Sequence, residues 1–265
     1  MTRLLLALLA CCVWGSAAAA PTCPQPLRIG FNDSATPPGL MGQGSRFADP
    51  PGWEVVAVRD ALKRLGCTAE LVRLPGRRLS ASLIQGSLDF ALLYGVTAER
   101  LQTLSFPLDA SGRPDLAWAP VFGKLSLFGR AGTKPDPGWN GGRLNSRWRV
   151  GVIAGSVQEA VARERGWQVE PVASLDTEVS MLQAQRFDLL LTTRETLAPG
   201  QRAALVEWAP PVARLPYFMP ASIAFAQRHP AWTRSFWNEF CHSVRWLEPD
   251  VRPAECGIVP PATLR

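Results

Sequence analysis

The sequence predicts an α/β fold of two lobes, each a mainly parallel sheet flanked by helices, with a ligand cleft between them. Three observations carry this expectation. Strand-like and helix-like patterns alternate over residues 27–93, which implies a parallel sheet with right-handed crossovers. The same order returns over residues 149–191, after a passage rich in proline and glycine. An apolar strand pattern at 221–225, followed by an aromatic helix, then brings the chain back to the first unit. Interfaces between two such units are preferred ligand sites.

Residues 27–31 (LRIGF) read as the first strand, which ends in a polar, proline-marked loop over 32–52. A helix is expected over 55–65, with Val55, Val58, Leu62 and Leu65 on one stripe and Gly66 as its stop. A second strand is expected over 69–74. The following run, PGRRLSASLIQGSLDFALLYGVTAER at 75–100, couples a helix, a strand and a charged turn. Leu79, Leu83 and Ile84 supply the helix's apolar stripe, and Gly86 stops it. Residues 88–93 are apolar except for Asp89, as suits a parallel strand covered on both faces. Thr97-Ala98-Glu99-Arg100 falls at that strand's carboxyl end, where parallel sheets bind ligands.

In the second unit, 149–153 is strand-like, Ala154-Gly155-Ser156 is a turn with a helix-capping hydroxyl, and a helix starts over 157–165. Strand, helix and strand are expected at 169–172, 177–185 and 187–191. Hinge crossings are placed near 121–128 and 212–222. His229-Pro230-Ala231-Trp232 leads into a last helix whose Phe236, Trp237, Phe240 and Trp246 read as core contacts. The expected division is a signal segment at 1–20, a first lobe of 21–122 plus 222–265, and an inserted second lobe of 123–221.

Arg3, an apolar stretch from Leu4 to Trp14 and Ala17-Ala18-Ala19-Ala20 have the layout of a cleavable secretory signal. Leu9-Ala10-Cys11 offers lipid attachment as an alternative, opposed by Leu9 where a small residue is usual. Without Arg3 the chain carries 27 basic and 22 acidic residues. The excess is scattered, with no basic run or basic helix, which argues against a nucleic-acid partner.

Cys23, Cys67, Cys241 and Cys256 survive cleavage, and four cysteines in an oxidising compartment allow three pairings. Cys23 and Cys67 each precede a predicted strand; if those strands are parallel neighbours, Cys23 pairs with Cys67 and Cys241 with Cys256. No CxxC pair or ligand-spaced histidine is present, so neither a metal nor another cofactor is expected.

In order and spacing these pieces resemble the bacterial family 3 solute-binding proteins, with a type II periplasmic binding fold. The resemblance rests on Leu27-Arg28-Ile29-Gly30, on Pro75 with Leu79, Leu83, Gly86 and Asp89, on Thr97-Ala98-Glu99-Arg100, on Arg149-Val150-Gly151-Val152, on Gly155-Ser156-Val157-Gln158-Glu159 and on Arg228-His229-Pro230. It implies a periplasmic, monomeric binding protein that delivers a small, carboxylate-bearing solute to an inner-membrane ABC permease. Arg100 matches the arginine that clamps the ligand carboxylate, a pairing suited to the guanidinium fork. Ser156 and Gln158 match the second-lobe turn that faces the ligand, where helix N–H groups favour an anion.

Departures from the family pattern bear on the ligand. Leu93, Tyr94 and Gly95 replace small hydroxyl residues before the turn, Ala35 stands where an aromatic commonly stacks, and Thr193 replaces the acid that pairs with an ammonium. An ordinary α-amino acid is therefore not expected. Asn32, Tyr94, Gly95 and Thr193 join Arg100, Ser156 and Gln158 as candidate ligand contacts. Arg78 would add cleft charge, and Trp53 an aromatic wall. Two alternatives stand beside uptake: a dehydratase-like enzyme using Glu54, Asp33 or Glu195, and an accessory or sensory binding module. His229 and His242 form no catalytic arrangement with a nucleophile, and His229 reads as structural.

Overall fold

The computed structural model describes residues 22–247 and Cys256. The signal segment expected at 1–20, the side chain of Trp246 and most of the tail beyond residue 247 lie outside the described residues.

The chain begins with β1 (Arg28–Asn32), then a long loop holding the hairpin β2 (Gly42–Gln43) and β3 (Arg46–Phe47). Next come α1 (Trp53–Arg64), β4 (Glu70–Leu74), α2 (Gly76–Ile84), β5 (Phe90–Ala91), β6 (Tyr94–Gly95), α3 (Ala98–Thr103) and β7 (Leu104–Ser105). A long strand, β8 (Val121–Arg130), leads to β9 (Arg149–Ile153), α4 (Val157–Glu164), β10 (Gln168–Val172), α5 (Leu175–Gln183) and β11 (Leu189–Thr193). After α6 (Pro199–Ala203) and β12 (Leu205–Glu207), the chain returns through β13 (Ala213–Phe218), β14 (Ala221–Ser222), α7 (Ile223–Arg228) and α8 (Pro230–Leu247).

Two large sheets result. The first has the order β4-β1-β5-β14-β7 and the second β10-β9-β11-β8-β13-β6, with β12 also paired to β8. β1 runs parallel to β4 and β5, and β9 runs parallel to β10 and β11. The expected repetition of a parallel unit is therefore present. β8 and β13 lie antiparallel over Val121 to Leu125 and Ala213 to Tyr217, where the chain passes between the two sheets.

The apolar patterns become four buried clusters among the described residues. Val55, Ala57, Val58 and Ala61 bury one face of α1 against Phe31, Phe90, Phe236 and Phe240. Phe90 stands edge-on to Phe225 at 5.2 Å and to Phe236 at 4.8 Å; each such pair contributes about 0.5–1.5 kcal/mol beyond burial. In the second lobe Trp208 is wholly buried between Trp139 and Trp148, with ring centres 5.6 and 5.4 Å away.

Three expectations about elements are corrected. The strand read at 88–93 is only Phe90–Ala91, because Leu93 adopts φ +52° and turns the chain out of the first sheet. β6 then pairs with β13 in the second sheet. The strand read at 221–225 stops at Ser222, whose hydroxyl accepts from the Phe225 N–H and starts α7 instead. Ile84 is 47% exposed, since the buried stripe of α2 is Leu79 and Leu83 alone.

Both cysteine pairs are disulfides, Cys23–Cys67 and Cys241–Cys256, with Cα atoms 5.5 and 5.6 Å apart. The strands that follow Cys23 and Cys67 are indeed neighbours, with Arg28 opposite Glu70. No metal-binding group of three His, Cys, Asp or Glu side chains exists among the described residues. No helix among them is long and apolar enough to cross a membrane.

Candidate functional site

The T-x-E-R turn sits where β6 ends. Thr97 caps α3 by accepting the Arg100 N–H on its hydroxyl, so that Arg100 begins its side chain one turn into a short helix. The guanidinium folds back over the Tyr94 ring at 4.6 Å. Its Nη1 donates to the Gly95 carbonyl at 2.7 Å and its Nη2 to the Gly155 carbonyl at 2.8 Å. Gly95 belongs to the turn's own strand, whereas Gly155 belongs to the turn ahead of α4. Arg100 thus ties the end of β6 to the turn ahead of α4.

The α4 turn is built to hold this position. Gly155 adopts φ +71°, a conformation suited to glycine. Ser156 accepts the Glu159 N–H at 3.1 Å, while the Glu159 carboxylate accepts the Gly155 N–H at 2.7 Å and pairs with Arg163. Burial works against ionisation of Glu159, but these bonds outweigh it and hold the carboxyl below its usual range. Val157, the first residue of α4, packs on Gly95 so closely that a Cβ at position 95 would lie 2.5 Å from its side chain.

Two tyrosines line the same region. Tyr94 is buried, with its hydroxyl 3.2 Å from that of Ser80. Tyr217 on β13 lies opposite Gly95. Burial pushes its phenol upward, with Arg100 pulling the other way and Glu195 adding to the rise. Burial also lowers the Arg100 guanidinium from its ordinary value, opposed by Tyr94, Tyr217 and Glu99.

The other candidates divide. Gln158 is buried beside Ser156, and Thr193 is buried at the end of β11, where its methyl faces Gly123. Asn32 ends β1 exposed, with its Oδ1 accepting the Ser34 N–H at 3.0 Å. Arg78 is exposed on the first turn of α2. Its neighbour Arg77 is exposed as well and adds a small attraction that favours the Glu159 carboxylate. Trp53 packs against the first-lobe core.

Gly155, Val157, Glu159 and Tyr217 belong to this constellation although sequence reading did not select them. The S-x-x-E spacing of Ser156 and Glu159 was a legible capping signal. Tyr217 gave none beyond being one of two tyrosines in the chain.

A buried guanidinium supports the first-lobe side of the region from behind. Arg73 on β4 donates to the carbonyls of Asn32, Asp33, Met41, Gly42 and Arg46, which fixes the loop after β1. Beside it Glu54 is buried against Gly39. Desolvation raises its carboxyl from 4.5 to about 7, in spite of the Arg73 charge.

Two sheets of repeated parallel βαβ units joined by the paired strands β8 and β13, with the T-x-E-R turn against the start of α4, define the class: a two-lobed α/β binding-protein fold. No family model and no curated protein sequence matches the chain. Solved structures match it over most of its length. One is an ancestral amino-acid-binding protein described as a precursor of cyclohexadienyl dehydratase, 16% identical, covering 85% of this chain and 95% of that one, with a TM-score of 0.64. A second, from Wolinella succinogenes, is a candidate binding component of an ABC transporter complexed with lysine, at 15% identity, 85% and 95% coverage and TM-score 0.64. A third is a histidine kinase sensor domain with similarity to periplasmic binding proteins, at 13% identity, 85% and 91% coverage and TM-score 0.62.

Proposed function

We propose that the chain is a periplasmic binding protein that holds a small carboxylate-bearing solute between residues 21–122 with 222–265 on one side and 123–221 on the other. The observation that carries this reading is the position of Arg100. Its guanidinium lies between β6 and the start of α4, where a fork of donors and a helix N-terminus together suit one anionic group. Ser156, Gln158, Tyr94, Gly95 and Thr193 would shape the space around that group. Asn32 and Arg78, both exposed, would act at its rim. Closure of the lobes would follow from contacts made by the solute to both sides.

Thr193, the last residue of β11, offers no carboxylate of its own to a ligand ammonium, and the nearest acid along the chain, Glu195, follows in the turn beyond it. Organic acids therefore rank ahead of α-amino acids, and delivery to an ABC permease is the role that the fold's transporter relatives support. A thermal-shift screen of organic acids, amino acids and opines, followed by calorimetry, tests the reading. One of them is expected to bind at a single site, with Arg100→Ala weakening it about 10–100-fold, the scale of a charge-assisted hydrogen bond. If nothing binds and Arg100→Ala changes nothing, the proposal loses its basis.

Glu54 favours a second reading, a dehydratase-like enzyme, because its carboxyl titrates near neutrality as a general acid should. Its place beneath Gly39 makes support of the loop the better account. Turnover of a prephenate-like compound, abolished in Glu54→Gln, would reverse that ranking.

A further inference from the structure

We infer that Tyr217 decides which acid the site accepts, its hydroxyl donating to a ligand oxygen on the carbon beside the carboxylate, as a 2-oxo or 2-hydroxy acid carries. This rests on the solute-binding reading and names the ligand class of the same site. The chain has two tyrosines. Tyr94 is already committed, its ring against the Arg100 guanidinium and its hydroxyl 3.2 Å from that of Ser80. Tyr217 is partly buried on β13, opposite Gly95, whose carbonyl accepts from Arg100. No described residue hydrogen-bonds its hydroxyl, on which only burial and the charges of Arg100 and Glu195 act.

The path of the ring across the second sheet fixes what else a ligand meets. Strands β11, β8, β13 and β6 are neighbours in that order. Tyr217 lies opposite Val121 on β8, and Gly123 follows on the same face of that strand. A Cβ at Gly123 would lie 2.7 Å from the Tyr217 Cε2 and 2.8 Å from the Thr193 Cγ2. The ring therefore crosses β8 diagonally, a reach open to aromatic side chains, and comes beside the Thr193 methyl. The Thr193 hydroxyl is 3.5 Å from that of Thr196, which donates to the Thr193 carbonyl at 2.7 Å. The end of β11 thus presents a methyl beside a phenol. An ammonium there would meet an apolar surface and the nearby Arg100 cation, with no carboxylate closer along the chain than exposed Glu195. A ligand oxygen would instead accept from the Tyr217 hydroxyl while the carboxylate pairs with the guanidinium.

Calorimetry with acids matched on carbon skeleton tests the inference: propionate, pyruvate, lactate and alanine; glutarate, 2-oxoglutarate, 2-hydroxyglutarate and glutamate; and the corresponding phenylpropionate set. On the skeleton that fits, the 2-oxo or 2-hydroxy acid is expected to bind wild type about 3–10-fold more tightly than the unsubstituted acid, the scale of one neutral hydrogen bond. The amino acid is expected to bind about 10-fold or more weakly than the oxygenated acid, for want of a partner to its charge. Tyr217→Phe keeps the ring and should bring the oxygenated acid down to the unsubstituted one while leaving the latter unchanged. A merely structural tyrosine would lower both alike. If Tyr217→Phe loses the wild-type far-UV circular dichroism, Gly123→Ala, which displaces the same ring, replaces it and should lower the same ratio. Equal binding of the unsubstituted and oxygenated acids to wild type overturns the inference, as does equal loss of both in the variant or tighter binding of the amino acid. Binding that Arg100→Ala abolishes leaves the solute-binding reading standing in each of those cases. If no acid of any set binds, both fall.

Discussion

Burial keeps two carboxyls of this chain away from their ordinary titration, and their chemistry sets how stability varies with pH. Folding raises Glu54 from 4.5 to about 7, with desolvation as the main cause. Its contribution to stability is therefore full below pH 4.5 and is lost as pH rises through about 7. The loss is about 3 kcal/mol at the scale of 1.36 kcal/mol per pKa unit. Urea melts at intervals from pH 4.5 to 8 should show this decline in wild type and a flatter profile in Glu54→Gln. Glu178 is a starker case. It lies at zero exposure on the sheet-facing side of α5, between Leu175 and Leu182, and neither carboxylate oxygen has a hydrogen-bond partner. Desolvation raises its carboxyl well above the usual range. Glu178→Leu should stabilise the fold by about 1–3 kcal/mol at pH 8, with less gain at pH 4.5, because an apolar side chain ends the cost of the unsatisfied group.

At the scale of elements, the loop after β1 depends on one side chain from another strand. Arg73 supplies donors to five carbonyls between Asn32 and Arg46, and removing them together leaves part-buried acceptors unpaired. Arg73→Ala should cost about 3 kcal/mol or more and raise amide hydrogen exchange across residues 32–47 before the rest of the first lobe. The disulfides act through the unfolded chain. They close separations of 44 and 15 residues, so replacing either pair with serine should cost about 3 to 4 kcal/mol in the chain-entropy model. Calorimetric melting of each double serine variant reads that loss.

Much of this element layout was legible in sequence, and the exceptions have local causes. The stripe Val55, Val58 and Leu62 is buried as its spacing requires, because α1 is amphipathic on its own. The run at 88–93 looked like one strand because apolar composition does not record a change of sheet. Leu93, at φ +52°, makes that change, and a leucine carries no sequence signal for a left-handed residue. Ser222 similarly hid a helix start inside an apolar run, since its capping bond to Phe225 depends on where β14 ends.

For the molecule as a whole, the order of strands and helices was readable because each lobe repeats a local βαβ logic. The contacts around Arg100 were not. The T-x-E-R spacing located Arg100, but its partner is a backbone carbonyl 55 positions away, and carbonyls look the same at every residue. Gly95 and Val157 meet through the fold and not through sequence proximity. Tyr94, Gly95, Arg100 and Ser156 therefore mark the region in the sequence, while the Arg100–Gly155 and Gly95–Val157 contacts come from folding.

Arg100 and the start of α4 are proposed above to form one solute site. Hydrogen-exchange mass spectrometry, with and without the solute that gives the largest thermal shift, tests it most directly. Added protection is expected in the segments spanning residues 93–101 and 154–159, and is expected to be absent in Arg100→Ala. Protection confined to one lobe, or lying away from both segments, would contradict it.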